Sequence, residues 1–366
     1  MAWRLFLSKT LASPLLQNPS PNPFFPLFSS HFSTSFLVTK TPKKHKKKRE
    51  KPESPRTRLV QHLSTRIPQF ESLLERDSYF RFLTKSKQFL SQQPERILRL
   101  DDAGKLHQEL GFPRGRKIHR FLQRHPLIFQ TYRHADNKLW VGFTDFMEEL
   151  LEEEKEIMDS VESDRVNKVR KLLMMSKNKR IPFKIVVESD GKRVLELVNW
   201  DPSLAVSQLE KEFMVNEEKA KRVFKFPIKH GKDLDLEVED TRRLNLLNTL
   251  PLVSPYSNGE RLELWSLEAE KYRVGILHEF LSLTLEKRAS IHHIVEFKEE
   301  LCLTKHTYDM LKKQPRTFYL AGTEMNWAVF LKDAYDENGS LIDKDSQVVF
   351  NEKLYKYAQM KDGELH

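Results

Sequence analysis

Apolar positions recur at helical spacing along much of this chain, and three of the helical stretches end in the same way. Leu90…Pro94…Ile97, Leu122…Pro126…Phe129 and Leu311…Pro315…Phe318 share the pattern Leu-x3-Pro-x2-(Ile/Phe), and Val223…Pro227 is an imperfect fourth. A helical run leads into each proline and β-prone residues follow it. Proline pushes the residue before it out of the α region and donates no helical hydrogen bond, so each one is expected to switch helix into strand.

The pattern around these switches predicts a repeated unit. Helices are expected over Asp101–Leu110 and Arg114–Arg124, separated by a Gly111-Phe112-Pro113 turn. A hairpin of Leu127–Tyr132 and Leu139–Phe143 then closes around His134-Ala135-Asp136-Asn137. Near the C-terminus, Ile291–Leu301 and Lys305–Lys313 are the helices, and Thr317–Ala321 with Asn326–Leu331 the hairpin. A long helix precedes each copy, Asp77–Ser91 and Leu267–Lys287. Helix, short strand, helix, turn, helix and two-stranded wing is the order of a winged helix-turn-helix unit. The middle region (Arg165–Lys177, Ser203–Phe213, Glu217–Phe224 and Lys225–Glu239) reads as a degenerate third copy. The expected fold class is α+β, predominantly helical, built from tandem helix-turn-helix units with β-hairpin wings over about 77–145, 160–245 and 262–335.

Charge changes the picture at the N-terminus. The 366 residues carry a formal net charge of +10, all of it accounted for by residues 1–58, so the remainder is balanced. No Asp or Glu precedes Glu50, and Trp3, Phe6, Leu7 and Leu11 share a helical face ahead of a Ser/Pro/Phe-rich stretch. An acid-free, Ser-rich, amphipathic start is the signature of an organellar transit peptide. Residues 1–33 are read as that peptide, 34–72 as a basic linker, 73–358 as the folded region and 359–366 as a tail. The run Phe32-Ser33-Thr34-Ser35 resembles plant mitochondrial processing sites and favours the mitochondrion over the chloroplast. Lys40–Lys51 is dense in lysine and suits sequence-independent phosphate contacts.

Within the balanced region, charge is segregated. Basic residues dominate Lys105–Arg133 and Arg165–Lys184, while Asp145–Asp164 between them is strongly acidic. Such blocks fit either distinct faces or helices that pair with one another. If the second helix of each pair meets nucleic acid, the phosphate candidates are Arg114, Arg116, Lys117, Arg120 and Arg124. Of these, 116, 120 and 124 fall on one helical face. Lys168, Arg170, Lys171, Lys177, Lys179 and Arg180 form a second basic set, and Lys287, Arg288, Lys312, Lys313 and Arg316 a third. Tyr132, Trp140 and Trp327, on the wings, are candidates for stacking on unpaired bases, with cross-strand packing as their alternative role.

Enzyme chemistry finds no support in the motifs. His278-Glu279-Phe280-Leu281-Ser282 starts like a zincin helix, but the second histidine is Ser282. Leu277 and Leu281 suggest a buried stripe there, with His278 on the flank. Cys302 and His306 lack the flanking signature of a cysteine hydrolase, and a lone cysteine excludes an intramolecular disulfide framework. No glycine-rich phosphate cradle occurs, and no run approaches the ~20 apolar residues of a membrane span. No cofactor, metal ligand set or catalytic residue is assigned.

Longer strings carry a family resemblance. Leu172-Leu173-Met174-Met175-Ser176, Leu252-Val253-Ser254-Pro255-Tyr256, the segment Glu270–Arg288 (EKYRVGILHEFLSLTLEKR), Gln314–Leu320 (QPRTFYL) and Val329–Tyr335 (VFLKDAY) resemble the plant organelle RNA recognition domain family over about Asp77–Asp345. The resemblance implies binding to organellar intron-containing transcripts and a part in group II intron splicing alongside other splicing factors, with the intron RNA supplying the chemistry. The strand-like stretch Val186–Asp201 departs from the family pattern, which usually has a Gly-Leu-Pro turn there. A protein-interaction scaffold, with the acidic block docking a basic partner, is the alternative reading.

Overall fold

Each of the three complete proline switches follows the end of a helix. The computed structural model describes residues 66–113, 115, 117–183, 193–214, 237–323 and 327–360, all within one compact unit, Glu53–His366. Helix α1 (Pro68–Leu90) stops before Pro94, α3 (Ile118–Leu122) before Pro126 and α10 (Thr307–Lys312) before Pro315. Strands β1 (Leu98–Arg99), β2 (Phe129–Arg133) and β7 (Phe318–Ala321) follow them. The expected hairpins form: β2 pairs antiparallel with β3 (Leu139–Phe143), and β7 with β8 (Ala328–Leu331).

The two ends of the chain repeat one topology. The first module runs α1, β1, α2 (Leu100–Lys105), α3, β2, β3. The last runs α8 (Leu267–Leu283), β6 (Arg288–Ser290), α9 (Ile291–Glu296), α10, β7, β8. Both three-stranded sheets place their last strand in the centre, in the orders β1-β3-β2 and β6-β8-β7. The architecture is α+β and mostly helical. Several helices are shorter than expected, because Leu106–Leu110, Phe297–Leu301 and Gln123–Arg124 leave the α-helix as turns. One such turn needs its glycine. Gly111 has φ +72°, and a Cβ there would lie 2.9 Å from the Arg81 carbonyl oxygen and from Phe82 Cα on α1.

Between the modules lie α4 (Asp145–Ser160), α5 (Glu162–Met175), the hairpin β4 (Arg180–Phe183) and β5 (Arg193–Glu196), α6 (Gln208–Met214) and α7 (Val238–Thr249). Part of the third copy is visible here. After α5, Lys179 adopts φ 56° and its Nζ donates to the Met174 carbonyl at 2.6 Å. After α8, Lys287 adopts φ 52° and its Nζ donates to the Ser282 carbonyl at 2.7 Å. Each lysine satisfies a carbonyl at the negative end of the preceding helix before an arginine starts a strand. The copy then diverges, since β4 continues into a hairpin where β6 leads into α9. The stretch Glu217–Phe224, Pro227 and most of Lys225–Glu239 lie outside the described residues, as do residues 1–65, on which the transit-peptide reading and most of the basic linker fall.

One expected boundary moves, and one element is new. The folded region begins before residue 73, because α1 starts at Pro68, a favourable first helical position for proline, and buries Phe70. At the other end α11 (Ser346–Gln359), not anticipated as an element, buries Phe350, Leu354 and Ala358 in the first module's core beside Phe80 and Leu83. The terminal helices thus lace the modules together. Phe70 packs 5.0 Å from both Tyr319 and Phe330 on the last sheet, and α11 returns to the first. Two acids of the acidic block join this lacing, Glu154 pairing with Lys87 at 2.7 Å and Glu153 with Lys353 at 2.6 Å, and Glu148 pairs with Arg96, while Asp145, Glu149, Glu156, Asp159 and Glu162 stay exposed.

Candidate nucleic-acid interface

Helix α3 and its ends carry exposed basic side chains. Burial of Phe121 and Leu122 on one side turns Arg120 outward, and Lys117 at the N-cap and Arg124 just past the last turn are exposed as well. None of the three has an ion-pair partner among the described residues. Helix α3 is too short to present 116, 120 and 124 on one continuous face, and Arg114 and Arg116 lie outside the described residues. His125 fixes the end of this segment. Its Nδ1–H donates to the Ala358 carbonyl on α11 at 2.7 Å, and burial lowers its pKa, which keeps the ring neutral.

On the side away from the core that α3 helps to build, the first sheet carries a row across three strands, Tyr132 opposite Trp140 and Trp140 opposite Arg99. Strand alternation sends Phe129, Val141 and Phe143 into the core and leaves this row half-buried on the other side. Trp140 Nε1 donates to Asp136 at 3.1 Å, which holds the indole flat against the hairpin beside His134. The last sheet shows the opposite condition. Its outer face has Tyr319 opposite Phe330 and Phe330 opposite Arg288, and Phe70 of α1 covers it. One sheet face is open and the other closed.

The second and third basic sets are mostly consumed by the fold. Lys171 is buried, with Nζ 2.6 Å from Glu279 Oε1 and 3.0 Å from the Val206 carbonyl. The Arg288 side chain is also buried, 2.6 Å from Asp77 and paired with Glu286. Burial opposes its charge, but the two carboxylates outweigh that and raise its pKa. These two residues are withdrawn as phosphate contacts, because their charge is already matched inside. Lys168 is half-buried between Asp164 (2.6 Å) and Asp345 (3.2 Å). Lys179 and Lys287 cap helices as described, and burial lowers the pKa of both. Lys179 also lies over the Trp200 ring. Arg180 pairs with Glu196 on the neighbouring strand at 2.7 Å. Lys312 sits 3.9 Å above the Tyr308 ring, which itself stacks on Trp327 at 4.4 Å, so one face of Trp327 is already covered. Arg316 is half-buried near Asn245. Arg170, Lys177 and Lys313 remain exposed.

Two further basic residues join the α3 surface from α1. Arg81 and Lys85 are exposed one turn apart, and Lys85 Nζ donates to the Gln108 carbonyl at 2.9 Å. Their i,i+4 spacing is visible in the sequence, but nothing there shows that α1 runs beside α3. His278 lies fully buried rather than on a flank, because α8 is enclosed on nearly all sides. Burial pushes its pKa down to about 4. Among the described residues no group of three or more His, Cys, Asp or Glu side chains is placed to hold a metal, and no helix is long and apolar enough to cross a membrane.

A mostly helical α+β protein whose first module leaves basic side chains exposed and aromatic rings half-buried has features compatible with nucleic-acid binding. Comparison with known proteins makes the class specific. The plant organelle RNA recognition domain model matches residues 65–188 and 182–363, and the chain belongs to that family. It is 32% identical over 321 residues to Protein WHAT'S THIS FACTOR 1 homolog, chloroplastic, of Oryza sativa subsp. japonica, covering 78% of this chain and 63% of that protein. It is 30% identical over 321 residues to Protein WHAT'S THIS FACTOR 1, chloroplastic, of Zea mays, covering 78% and 64%. The chain therefore spans just under two thirds of the length of these relatives. Protein WHAT'S THIS FACTOR 9, mitochondrial, of Arabidopsis thaliana is 26% identical over 340 residues, covering 82% of this chain and 85% of that one. No solved structure matches.

Proposed function

We propose that this protein is an organellar RNA-processing factor that binds intron-containing transcripts and promotes splicing of group II introns without chemistry of its own. The observation that carries the reading is the contrast between the modules. In the first module Lys117, Arg120 and Arg124 are exposed and Tyr132 and Trp140 are only half-buried, whereas the equivalent sheet face of the last module is sealed by Phe70. Exposed cations and accessible aromatic rings on one module suit single-stranded or distorted RNA, through phosphate contacts and base stacking. The shared strand order of the two sheets supports reading each module as a winged-helix-like unit. The first module then acts as the RNA reader and the last as its structural partner.

The chloroplast is the favoured organelle. The relatives at 30–32% identity are named chloroplastic and the one named mitochondrial is at 26%. This reverses the mitochondrial preference drawn from Phe32–Ser35. The scaffold alternative keeps part of its argument: Glu148, Glu153 and Glu154 have basic partners within the fold, but Asp145, Glu149, Glu156, Asp159 and Glu162 stay exposed.

The test is to immunoprecipitate the epitope-tagged protein from isolated chloroplasts and mitochondria and sequence the co-purifying RNA against input. Enrichment of one or a few group II introns in chloroplasts, with loss of the spliced products in a null mutant, is the expected result. Recovery of proteins without RNA enrichment above a tag-only control would refute the reading.

A further inference from the structure

A cleft of about 630 Å³ opens between α1, the turn at 107–113 and the end of α3. Gly111 sets its wall, since only a residue without Cβ lets the turn lie directly against Arg81 and Phe82. Arg81, Lys85, His107 and Arg124 line the cleft, together with Tyr79, which is 58% exposed, and no acid is among its described lining residues. The last module has a cleft of the same volume at its own α8–α10 junction, and its composition differs. Asp240, Glu270 and Asp309 line that one together with Arg243, Arg273, Lys312 and Lys313, and Glu270 is paired with Arg243. The segment before α8 also runs past it, with the Leu264 carbonyl accepting from Arg273 at 2.8 Å. In one module the junction is charge-balanced and crossed by the chain. In the other it is open and cationic.

Resting on the RNA-binding reading above, we infer that the first module's cleft is a seat for one unpaired RNA nucleotide, with its phosphate held by Arg81, Lys85 and Arg124 and its base against Tyr79. The chemistry selects this ligand. Arg81 and Arg124 have no ion-pair partner among the described residues, so their charge is available to an anion, and arginine suits a phosphate better than any neutral group. A duplex could not bring a base to Tyr79 without unpairing it, so the cleft discriminates for single strands.

The experiment uses the full chain and a fluorescein-labelled short oligouridylate, titrated over a range of salt concentrations, with a duplex of the same length as competitor. Arg81→Gln/Lys85→Gln is expected to weaken oligouridylate binding by about tenfold or more and to reduce the salt slope by about 1.4, the value for two lost phosphate contacts on a single strand. Tyr79→Ala is expected to weaken binding without changing the salt slope. Arg242→Gln, an exposed change on α7, should leave both unaltered, and thermal unfolding confirms that each variant is folded. With thiouridine in the oligonucleotide, photo-cross-linking should map to the peptide containing Tyr79. Wild-type binding that survives Arg81→Gln/Lys85→Gln with an unchanged slope, or cross-links only to the Tyr132–Trp140 hairpin, would overturn the cleft assignment and leave the RNA-binding reading standing. A wild-type protein that binds no RNA would overturn both.

Discussion

Lys171 Nζ lies 2.6 Å from Glu279 Oε1, with the Glu279 side chain 1% and the Lys171 side chain 11% exposed. The pair joins α5 to α8, and the same carboxylate accepts from Tyr256 Oη at 2.6 Å and from the Gln208 backbone N–H at 2.7 Å. Glu279 is the hub through which the middle region docks on the last module. Removing one partner of a buried pair leaves the other charge unmatched, at a cost of about 3–5 kcal/mol. Lys171→Ala is expected to destabilise by that order in urea unfolding, while the folded fraction keeps wild-type RNA affinity. Replacing both members with apolar residues would not restore stability here, because Tyr256 and Gln208 would lose their acceptor.

The Phe70 contact makes a separate prediction about how the modules are held together. Phe70 is buried against Tyr319, Phe330 and Tyr335. Phe70→Ala is expected to cost about 3–5 kcal/mol, as for other buried Phe truncations. It should also expose the last sheet's outer face, which limited proteolysis or hydrogen exchange at β7 and β8 would register. Equal protection of those strands in the variant would contradict the sealing role.

Gly111 and Gly115 offer a paired comparison. Both have positive φ, +72° and +73°, but only Gly111 is pressed against α1, whereas a Cβ at Gly115 would meet nothing within 4 Å. Gly115→Ala is expected to cost about 1–2 kcal/mol for the left-handed backbone alone. Gly111→Ala should cost clearly more in the same denaturation assay, since the turn must also move off α1.

Stability should fall in mild acid because of His278. Its pKa is about 4 in the fold, and about 6.5 for an unfolded chain. Above pH 6.5 the ring is neutral in both states and the pH has no effect through this residue. As the pH falls below 6.5 the unfolded chain binds the proton first, so stability is lost progressively down to about pH 4 and no further below it. The loss approaches about 3 kcal/mol. His278→Leu is expected to flatten the difference in unfolding free energy between pH 7 and pH 5. Burial lowers the pKa of His125 as well, so part of the slope remains in the variant.

What the sequence makes legible follows the range of the forces involved. The proline switches and hairpins act through neighbouring residues, so Leu90, Leu122 and Leu311 mark helix ends correctly or within a residue. Burial depends on distant segments, and there the reading breaks down. Lys171 and Arg120 look alike as basic residues on helices, and only the approach of α8, far along the chain, buries one and leaves the other exposed. Arg288 is withdrawn from the surface by Asp77 in the same way. Which acids of the acidic block act as an internal clamp is not legible until α1 and α11 are seen to deliver Lys87 to Glu154 and Lys353 to Glu153. Arg81 and Lys85 went unmarked because a lone i,i+4 pair of cations is ordinary on any solvated helix. The aromatic pair Tyr132 and Trp140 is legible as a wing feature, whereas the difference between its open face and the sealed Tyr319–Phe330 face comes from Phe70, in a segment that reads as linker.

The most direct test of the central claim is the affinity of the purified protein for a group II intron RNA as a function of salt, for wild type and for Lys117→Glu/Arg120→Glu/Arg124→Glu. The account predicts binding that weakens steeply with salt in the wild type, and a loss of about a hundredfold or more with a shallower slope in the triple variant, since three phosphate contacts are replaced by repulsion. Equal affinity and slope for the two proteins would contradict the assignment of the first module as the RNA-binding surface.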